Sequence, residues 1–443
     1  MFSVLRRFEN KYFLPGLKRW IFIFVIGLVL IVFGVALLLE LRPLTQISSF
    51  VWRTIRWIAE VVPPKISGPA ILITGITAVA LALLSSLRTI LQATIHEANP
   101  SLTLNQSILR SLEKARRKGQ GPRIVAIGGG TGLSTLLRGL KTYSSNIVAI
   151  VTVGDDGGSS GRLREELKVV PPGDIRNCIV ALADEEEFTT SLFQYRFQEG
   201  SLKGHSLGNL FLAALSNLCD GNMAKAAQVA SRILRTGGQV LPSSLSAVHL
   251  AAEFEDGSIL YGESKIPEFG QRIKRIFAES IPPALGDSVQ AIKEADLIIL
   301  GPGSLYTSII PNLLFPEIVK AITASKAKVL YVCNLVQDKE TQNYAVSDFV
   351  KAIQSHSSNK LLDGVLINAP ESWHLERGKP ILADLDETSA LGVEVIIRSK
   401  LHDNDGRHNP LRLARSIIQW LSLKQSHKDN STSNVSNLLL STK

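Results

Sequence analysis

A glycine-rich turn near residue 128 has the residue types and spacing that bind an anion. It follows the short apolar run Ile124–Ile127 and consists of Gly128, Gly129, Gly130, Thr131 and Gly132. Leucines at helical spacing come next, within Leu133–Tyr143. Glycines let the backbone approach an oxyanion closely, and a helix N-terminus directs free N–H groups at it. The pattern therefore predicts a strand, a turn and a helix that together hold a phosphate.

A second polar cluster follows the next predicted strand, and it contains Asp155, Asp156, Ser159, Ser160 and Arg162. In a dinucleotide-binding fold an acidic residue at this place holds a ribose hydroxyl. However, the first turn lacks the third glycine of the G-x-G-x-x-G pattern, and the serines and the arginine suit a phosphate or sugar better than adenosine. The two carboxylates are also suited to hold Mg²⁺ through water. A polar turn with a helix cap is the structural alternative.

Two further clusters lie at predicted helix starts. Pro171, Pro172 and Gly173 precede the first, which contains Asp174, Arg176 and Asn177. Helix capping explains Asp174, but a helix start prefers an acid to the base Arg176. The second contains His205 and Asn209 and opens the predicted helix Leu207–Leu218. A structural histidine is the alternative to a ligand contact, and we find no Ser–His–Asp signature and no metal-type histidine pairing.

The last polar clusters follow predicted strands in the second half of the chain. One is a second glycine turn, in which Ser304, Thr307 and Ser308 are candidate donors and Tyr306 is a candidate flat surface for a base or sugar. Its candidate site residues are Gly301, Gly303, Ser304 and Tyr306, and a weaker turn adds Asn334. One shared nucleotide or sugar-phosphate site is the simplest account of so many donor-rich turns.

Alternating strand and helix patterns from residue 123 onward predict an α/β fold. It is a Rossmann-like, doubly wound and mostly parallel sheet, because most predicted strands are continuous apolar runs. The six predicted strands are Ile124–Ile127, Ile147–Val153, Leu297–Leu300, Val329–Cys333, Gly364–Asn368 and Val393–Ile397. Residues 240–270 interrupt the pattern with a hairpin at Asp256-Gly257, which predicts a small antiparallel insertion. Ligands of such a fold bind outside the carboxyl ends of the strands.

The N-terminal part of the chain predicts a membrane hairpin. Residues 20–39 and 66–87 carry no charged side chain, and each stretch is long enough to span a bilayer as a helix. Lys and Arg are more frequent before the first stretch and after the second than between them, which predicts that both ends are cytosolic. We therefore divide the chain into a hairpin (1–87), a basic helical connector (88–122), an α/β domain (123–423) and a disordered tail (424–443).

The net charge of +9 does not indicate nucleic-acid binding. Residues 1–123 contain 16 Lys and Arg against 5 Glu, a net +11, whereas the remaining residues carry a net −2. The basic excess thus belongs to the membrane-proximal part, where it sets topology and attracts anionic lipids. The 3 cysteines are scattered and show no ligand spacing, which is typical of reduced thiols.

Taken together, the motifs resemble those of the YvcK-like gluconeogenesis factors, within the superfamily of the 2-phospho-L-lactate transferase CofD. The resemblance covers about residues 123–420 and excludes the hairpin. It is carried by Gly128–Gly132, Asp155–Arg162, Pro171–Asn177, Gly204–Asn209 and Gly301–Asn312.

The resemblance implies two alternative functions. The YvcK branch is similar in its nucleotide pocket and binds UDP-sugars such as UDP-N-acetylglucosamine. It is associated with cell shape, peptidoglycan synthesis and growth on gluconeogenic carbon, and Tyr306 matches a tyrosine position implicated in its UDP-sugar binding. The CofD branch moves a phospholactyl group from a nucleotide diphosphate to a deazaflavin with Mg²⁺, and there Asp155 or Asp156 would organise the metal and the acceptor.

The turn sequences favour the YvcK branch, so we expect a regulator rather than a classical enzyme, with no assigned catalytic residue and no resident cofactor. Its expected partners are a UDP-sugar or another nucleotide diphosphate and the plasma membrane, and a homo-oligomer is compatible with the sequence.

Overall fold

The computed structural model describes most of the C-terminal two thirds of the chain and two N-terminal helices. The described residues are 17–38, 53, 57, 64–98, 121–184, 186–358, 360–368, 379–403 and 406–424. Most of the predicted connector and of the predicted disordered tail lie outside these ranges. The chain divides into two compact units, Met1–Ala115 and Arg116–Lys443.

The N-terminal unit contains two apolar helices, α1 (Leu17–Leu38) and α2 (Pro64–Ala98). They approach closely where glycines face each other. A Cβ atom on Gly27 would lie 2.8 Å from Val79 Cγ2, and one on Gly75 would lie 2.8 Å from the Ile31 nitrogen. Within the described residues one stretch, Pro69–Ser86, is long and apolar enough to cross a membrane. The prediction of two spanning helices is therefore not confirmed.

The described residues of the second unit form ten strands in two sheets, and the larger sheet is entirely parallel. When the strands are numbered in chain order, those of the larger sheet lie side by side in the order ten, nine, eight, seven, one, two and three. In chain order the strands are β1 (Ile124–Gly128), β2 (Ile147–Val151), β3 (Gln239–Pro242), β4 (Leu250–Phe254), β5 (Ile259–Tyr261), β6 (Ile273–Ala278), β7 (Leu297–Leu300), β8 (Lys328–Val332), β9 (Gly364–Asn368) and β10 (Glu394–Arg398). All six predicted strands of the parallel sheet are present.

Helices cover the sheet, and their apolar faces complete a core in which β1 and β7 are fully buried. Their bounds are α3 (Gly130–Leu140), α4 (Gly158–Leu167), α5 (Gly173–Leu182), α6 (Glu186–Gln194), α7 (Leu207–Leu218), α8 (Met223–Ile233), α9 (Gly286–Glu294), α10 (Ile310–Leu313), α11 (Pro316–Ala324), α12 (Val346–Ser355), α13 (Leu385–Ala390) and α14 (410–424). The helix predicted over Leu133–Tyr143 begins three residues earlier, inside the glycine turn.

The order of the strands reverses at β1, which pairs with β2 on one side and with β7 on the other. The turns that follow β1 and β7 lie side by side at this point, and both line a crevice. Parallel sheets of this kind bind ligands at such a switch point. The topology confirms the predicted doubly wound α/β class.

The small antiparallel sheet has three strands in the order β5, β4, β6. The predicted hairpin at Asp256-Gly257 is present, and Gly257 has the positive φ of +84° that such a turn requires. The third strand, β6, was not predicted because exposed Lys274 and Arg275 interrupt its apolar pattern.

Candidate functional site

The turn after β1 forms one wall of the crevice. Helix α3 begins at Gly130, whose φ of +66° is left-handed and favours glycine. The N–H groups of the first helical turn have no acceptor within the helix. One of them is already used, because the Gly130 N–H donates to the Asp174 carboxylate.

The turn after β7 packs directly against the turn after β1. A Cβ atom on Gly132 would lie only 2.4 Å from the carbonyl oxygen of Pro302. A Cβ atom on Gly129 would lie 2.6 Å from Asp174 Oδ2. Glycine is thus required at these positions for the close approach of neighbouring segments.

The start of the helical segment after β7 is occupied by a protein carboxylate. Glu340 accepts hydrogen bonds from the Tyr306 N–H, over 3.0 Å, and from the Thr307 hydroxyl. Because this acceptor fills the N-terminus of the turn Leu305–Ile309, Thr307 is not the free donor that the sequence predicted. Ser304 and Ser308 do line the crevice.

Tyr306 is buried and does not offer the flat binding surface that was predicted. Its side chain is 2% exposed, and its hydroxyl lies 2.9 Å from the Tyr344 hydroxyl and donates to the Ile273 carbonyl. Burial raises the pKa of this phenol. The sequence could not show this, because an aromatic residue in a glycine-rich turn gives no signal of the direction in which its side chain points. The ring connects the turn after β7 to strand β6.

The crevice between these turns has a volume of about 470 Å³, and we call it the glycine crevice. It is lined by Gly129, Gly130, Thr131, Gly132, Pro302, Gly303, Ser304, Asn334, Arg407 and His408, among others. Asn334 Oδ1 accepts the Gly303 N–H over 3.3 Å. Arg407 is exposed at the crevice, whereas His408 is 9% exposed. Burial lowers the pKa of His408 to about 4, so the ring is neutral near pH 7.

The two aspartates after β2 have different roles. Both carboxylate oxygens of Asp156 accept backbone N–H groups, from Glu263 and from Ser264, each over 2.9 Å. Asp156 therefore fastens the antiparallel insertion instead of facing a ligand. Asp155 Oδ1 accepts the Gly157 N–H over 2.9 Å, and Asp155 lines a second cleft.

This second cleft has a volume of about 680 Å³, and we call it the arginine cleft. It contains most of the remaining predicted site residues, namely Asp155, Ser159, Ser160, Arg162, Asp174, Arg176, Asn177 and Asn209, together with Arg196. The predicted site residues thus line two adjoining clefts. Gly129 and Gly130 line the glycine crevice and contact Asp174, which lines the arginine cleft.

A buried hydrogen-bond network supports the arginine cleft. Arg176 donates to Ser206 Oγ over 2.6 Å and to Asn209 Oδ1 over 2.7 Å. Asn209 Nδ2 donates to Ser159 Oγ, which lies 3.1 Å from His205 Nδ1. Burial lowers the pKa of His205, so its ring is neutral. His205 does not line the cleft, and within the described structure it acts as a support for Ser159.

Four carboxyl groups near the two clefts hold their protons unusually strongly. Burial is the main cause in each case. Repulsion by neighbouring carboxylates adds to it: by Asp156 on Asp155, by Asp155 on Asp174 and on Glu263, and by Asp338 on Glu340. Together these effects raise the pKa of Asp174 to about 7, that of Glu263 to about 8 and that of Glu340 to about 7. They also raise the pKa of Asp155. Among the described residues no group of three His, Cys, Asp or Glu side chains could hold a metal ion.

Sequence reasoning missed several residues of these clefts. Arg407 and His408 follow the last strand, in a short polar stretch whose residues form no recognisable motif. Glu263 and Glu340 line neither cleft, although the pKa of each is raised; they lie among many other charged residues on connecting segments. Arg196 follows helix α6 and faces the arginine cleft only because the chain turns back at residues 196–206.

Comparison with known proteins decides the family. A family model described as 2-phospho-L-lactate transferase CofD matches residues 124–401, which is more than half of the chain. The chain belongs to the CofD family. Among similar proteins, a gluconeogenesis factor of Bacillus subtilis is 48% identical, over 68% of this chain and 99% of its own. A Nostoc relative that also bears a gluconeogenesis-factor name is 46% identical, over 93% of this chain and 92% of its own.

A crystal structure of a Bacillus halodurans protein has the same fold. It has 44% sequence identity and a TM-score of 0.64, and the match covers 67% of this chain and 99% of that one. These two bacillary relatives match about two thirds of this chain over almost their whole length. The Nostoc match covers more of the chain than the α/β unit, so it includes part of the N-terminal region as well.

Proposed function

We propose that the glycine crevice binds a nucleoside diphosphate sugar, in particular a UDP-sugar such as UDP-N-acetylglucosamine. The observation that carries the proposal is the position of the α3 N-terminus, which opens into the crevice at the switch point of the sheet. Free N–H groups and the helix dipole favour a phosphate at this place.

The composition and size of the crevice support a diphosphate ligand. Arg407 adds a guanidinium group, which matches two phosphate oxygens in geometry. Asn334 and Ser304 offer polar groups of the kind that orient a sugar or a base. A volume of about 470 Å³ lies within the ordinary range for ligand pockets.

We propose that this binding is regulatory and supports cell shape and peptidoglycan synthesis during growth on gluconeogenic carbon. The gluconeogenesis-factor names of the Bacillus subtilis and Nostoc relatives support the part of this role that concerns gluconeogenic carbon. Nucleophilic catalysis needs an activated nucleophile beside a base. Among the described hydroxyl side chains that line the crevice, none hydrogen-bonds to a histidine or carboxylate. These side chains are Thr131, Thr135, Ser304 and Ser308.

Calorimetry of the full chain in detergent with UDP-N-acetylglucosamine tests the proposal. We expect Arg407→Gln to weaken binding by about tenfold, the loss of one charge-assisted contact of roughly 1.4 kcal/mol. Arg415→Gln is the matched control, since Arg415 is exposed on α14 and lines neither cleft. The proposal fails if the unsubstituted chain binds no UDP-sugar at millimolar concentration.

A phospholactyl-type transferase is the second candidate, favoured by the pair of half-buried carboxylates Asp155 and Asp174. These two residues, rather than Asp156, would hold Mg²⁺, because both oxygens of Asp156 are occupied by backbone N–H groups. Bound Mg²⁺ would neutralise phosphate charge during transfer. Product formation from a deazaflavin and a nucleotide-activated phospholactate, abolished by Asp155→Asn, would favour this candidate over the regulator.

We also propose that the N-terminal unit anchors the protein in the plasma membrane with its α/β unit in the cytoplasm. Apolar side chains on both helices are more than half exposed, including Phe22, Val29 and Val32 on α1 and Ile73 and Leu84 on α2. Such surfaces are stable in lipid and costly in water. Resistance of the full chain to alkaline extraction from membranes, lost in a chain beginning at Arg116, is the expected result. Release of the full chain by alkali would contradict it.

A further inference from the structure

The two edges of the larger sheet differ in how well they are protected against a further strand. At the β3 edge, the Ser243 N–H donates to the Val151 carbonyl of β2, so the backbone of the preceding residue, Pro242, faces outward. Proline has no N–H, and the Pro242 carbonyl already accepts the Ser288 hydroxyl over 3.0 Å. This edge is therefore closed to strand pairing at Pro242.

The other edge is β10, and its backbone is open. Among the described strands, β10 pairs only with β9. The Glu394 N–H donates to the Asp363 carbonyl, on the β9 side, over 3.1 Å. Since backbone groups alternate in direction along a strand, those of Val395 and Ile397 face away from β9. β10 also contains neither proline nor lysine, which commonly block an exposed edge.

An arginine of β10 itself covers one of these outward groups. Arg398 Nη1 donates to the Ile397 carbonyl over 2.8 Å, in an exposed contact between neighbouring residues. No other described residue bonds to the outward backbone groups of Val395 and Ile397. An incoming strand can therefore replace the Arg398 contact and pair with the rest of the edge.

The sequence of β10 is complementary to itself when two copies run antiparallel. It reads Glu-Val-Ile-Ile-Arg, so a two-fold axis at Ile396 places Glu394 opposite Arg398 of the second copy. In this register Val395 lies opposite Ile397 of the second copy. These are the residues whose backbone groups face outward, so they exchange hydrogen bonds on both sides of the axis.

Glu394 has a free oxygen for such an ion pair. Its contacts in its own chain, with Trp420 and Lys424, both use Oε2, which leaves Oε1 available. Arg398 lies on the same face of the strand, but residues four apart in one strand are about 13 Å from each other. Glu394 and Arg398 therefore pair between two copies and not within one.

Apolar side chains beside the edge are exposed. Ile397 is 41% exposed, and so is much of Leu385, the first residue of α13, which packs against β10. Leu423 is exposed near the end of α14, one residue before the Lys424 that contacts β10. Two short strands alone bury little surface, so these helices add to the contact that a stable dimer needs.

We propose that the edge of β10 binds a second copy of this chain, through an antiparallel contact that joins the two seven-stranded sheets into one. Val395 and Ile397 exchange backbone hydrogen bonds across the axis, and Glu394 and Arg398 form an ion pair at each end of the contact. Arg398 leaves the Ile397 carbonyl, which then accepts the Val395 N–H of the second copy. No residue of β10 lines either cleft, so this interface stands whether or not the clefts bind a ligand.

The alternative is that Arg398 caps the edge and keeps the chain monomeric. Its contact with the Ile397 carbonyl would then be permanent, and Glu394 would serve only to hold α14 through Trp420 and Lys424. Under this alternative, substitutions at Glu394 and Arg398 change stability but leave no association to change.

Sedimentation of the full chain in detergent, over a range of concentrations, tests the proposal. We expect a dimer that dissociates on dilution. Glu394→Arg and Arg398→Glu are each expected to weaken dimerisation by about tenfold, because each places like charges opposite each other on both sides of the axis. The variant that carries both substitutions should recover the dimer, since opposite charges meet again. Glu317→Arg is the matched control, because Glu317 is exposed on α11, which packs against α9.

A pair of cysteines tests the register, and it carries the test if thermal unfolding shows that a charge variant fails to fold. Glu394→Cys together with Arg398→Cys places a sulfur atom of one copy opposite a sulfur atom of the other. Mild oxidation should therefore crosslink the dimer. Neither substitution alone should do so, because identical positions away from the axis are about 13 Å apart along the strands.

Several results would overturn the proposal. The first is a full chain that stays monomeric at every concentration, which would mean that the edge is capped within one chain. The second is a dimer that both folded charge variants leave unchanged, which would place the contact on another surface, including the N-terminal helices. The third is a double charge variant that does not recover the dimer. The last is equal crosslinking in the single and double cysteine variants, which would exclude the register.

Discussion

The carboxylate of Asp156 accepts the backbone N–H of Glu263 over 2.9 Å, and through this contact the turn after β2 holds the antiparallel insertion. Its second oxygen accepts the N–H of Ser264 at the same distance. The insertion therefore contributes Glu263 to the acidic surroundings of the arginine cleft at a fixed place. From the sequence, Asp156 in its glycine-rich turn is a candidate to bind a ligand. In the structure it connects two segments of the chain instead.

Replacement of Asp156 by alanine should loosen the insertion. Two backbone donors lose a charged acceptor, so we expect the free energy of unfolding to fall by about 1–3 kcal/mol. Hydrogen exchange should increase at the amides of Glu263 and Ser264. Asp256→Ala is the control, because Asp256 bonds only within an exposed turn. Unchanged exchange at Glu263 in the Asp156 variant would show that this contact does not hold the insertion.

Replacement of Tyr306 should affect stability and not nucleotide binding. We expect Tyr306→Phe to cost about 0.5–1.5 kcal/mol, since the hydrogen bonds to Tyr344 and Ile273 are lost. Tyr306→Ala should cost about 3–5 kcal/mol, because it leaves a cavity in the core. Urea unfolding measures both. A folded Tyr306→Phe variant with much weaker UDP-sugar affinity would contradict the buried position of the ring.

Protonation of Glu340 should make the protein more stable at mildly acidic pH. Burial raises the pKa of Glu340 to about 7, whereas a glutamate in an unfolded chain titrates near 4.3. Between these values the folded chain keeps a proton that the unfolded chain releases. The free energy of unfolding therefore falls as the pH rises from about 4 to about 7.

Glu340→Gln should reduce this pH dependence, since the variant carries no titratable group at that position. Denaturant unfolding at several pH values between these limits measures it. Glu387→Gln is the control, because Glu387 is exposed on α13. The same slope in the Glu340→Gln variant and in the unsubstituted protein would exclude this residue as the cause.

Replacement of Gly132 by alanine should distort the glycine crevice. The added methyl group would lie 2.4 Å from the Pro302 carbonyl oxygen, so one of the two turns must move. We expect a loss of about 1–3 kcal/mol in stability, as for an overpacked core, and weaker UDP-sugar binding. Gly286→Ala is the matched control, because nothing lies within 4 Å of the Cβ position there. Normal affinity and stability in the Gly132 variant would refute the contact.

The sequence predicted most of the parallel sheet because continuous apolar runs mark strands that are buried on both faces. It missed β3, Gln239–Pro242, because this strand is short and ends in proline. It also missed β6, whose exposed lysine and arginine hide the apolar alternation. Short or half-exposed strands are stabilised by their neighbours, and that information is not local in the chain.

The sequence placed the polar turns at the ends of strands, as the structure does, but it did not predict the role of each residue in them. Asp155 and Asp156 are adjacent in sequence, yet only Asp155 lines a cleft. Tyr306 lies two residues from Ser304, yet only Ser304 lines the glycine crevice. The direction of a side chain depends on the backbone of its own turn and on the segments packed against it.

By itself, the sequence determined the α/β class, the glycine turns and the location of the polar clusters, because apolar periodicity and glycine are local signals of backbone structure. Only the tertiary structure decided that these clusters line two adjoining clefts and that Arg176 is buried and donates to Ser206, Asn209 and Asn177. It also brought Glu340 to the turn after β7 and Arg407 to the turn after β1. These relationships join residues distant in the chain, and they arise from the order of the strands, which no single segment specifies.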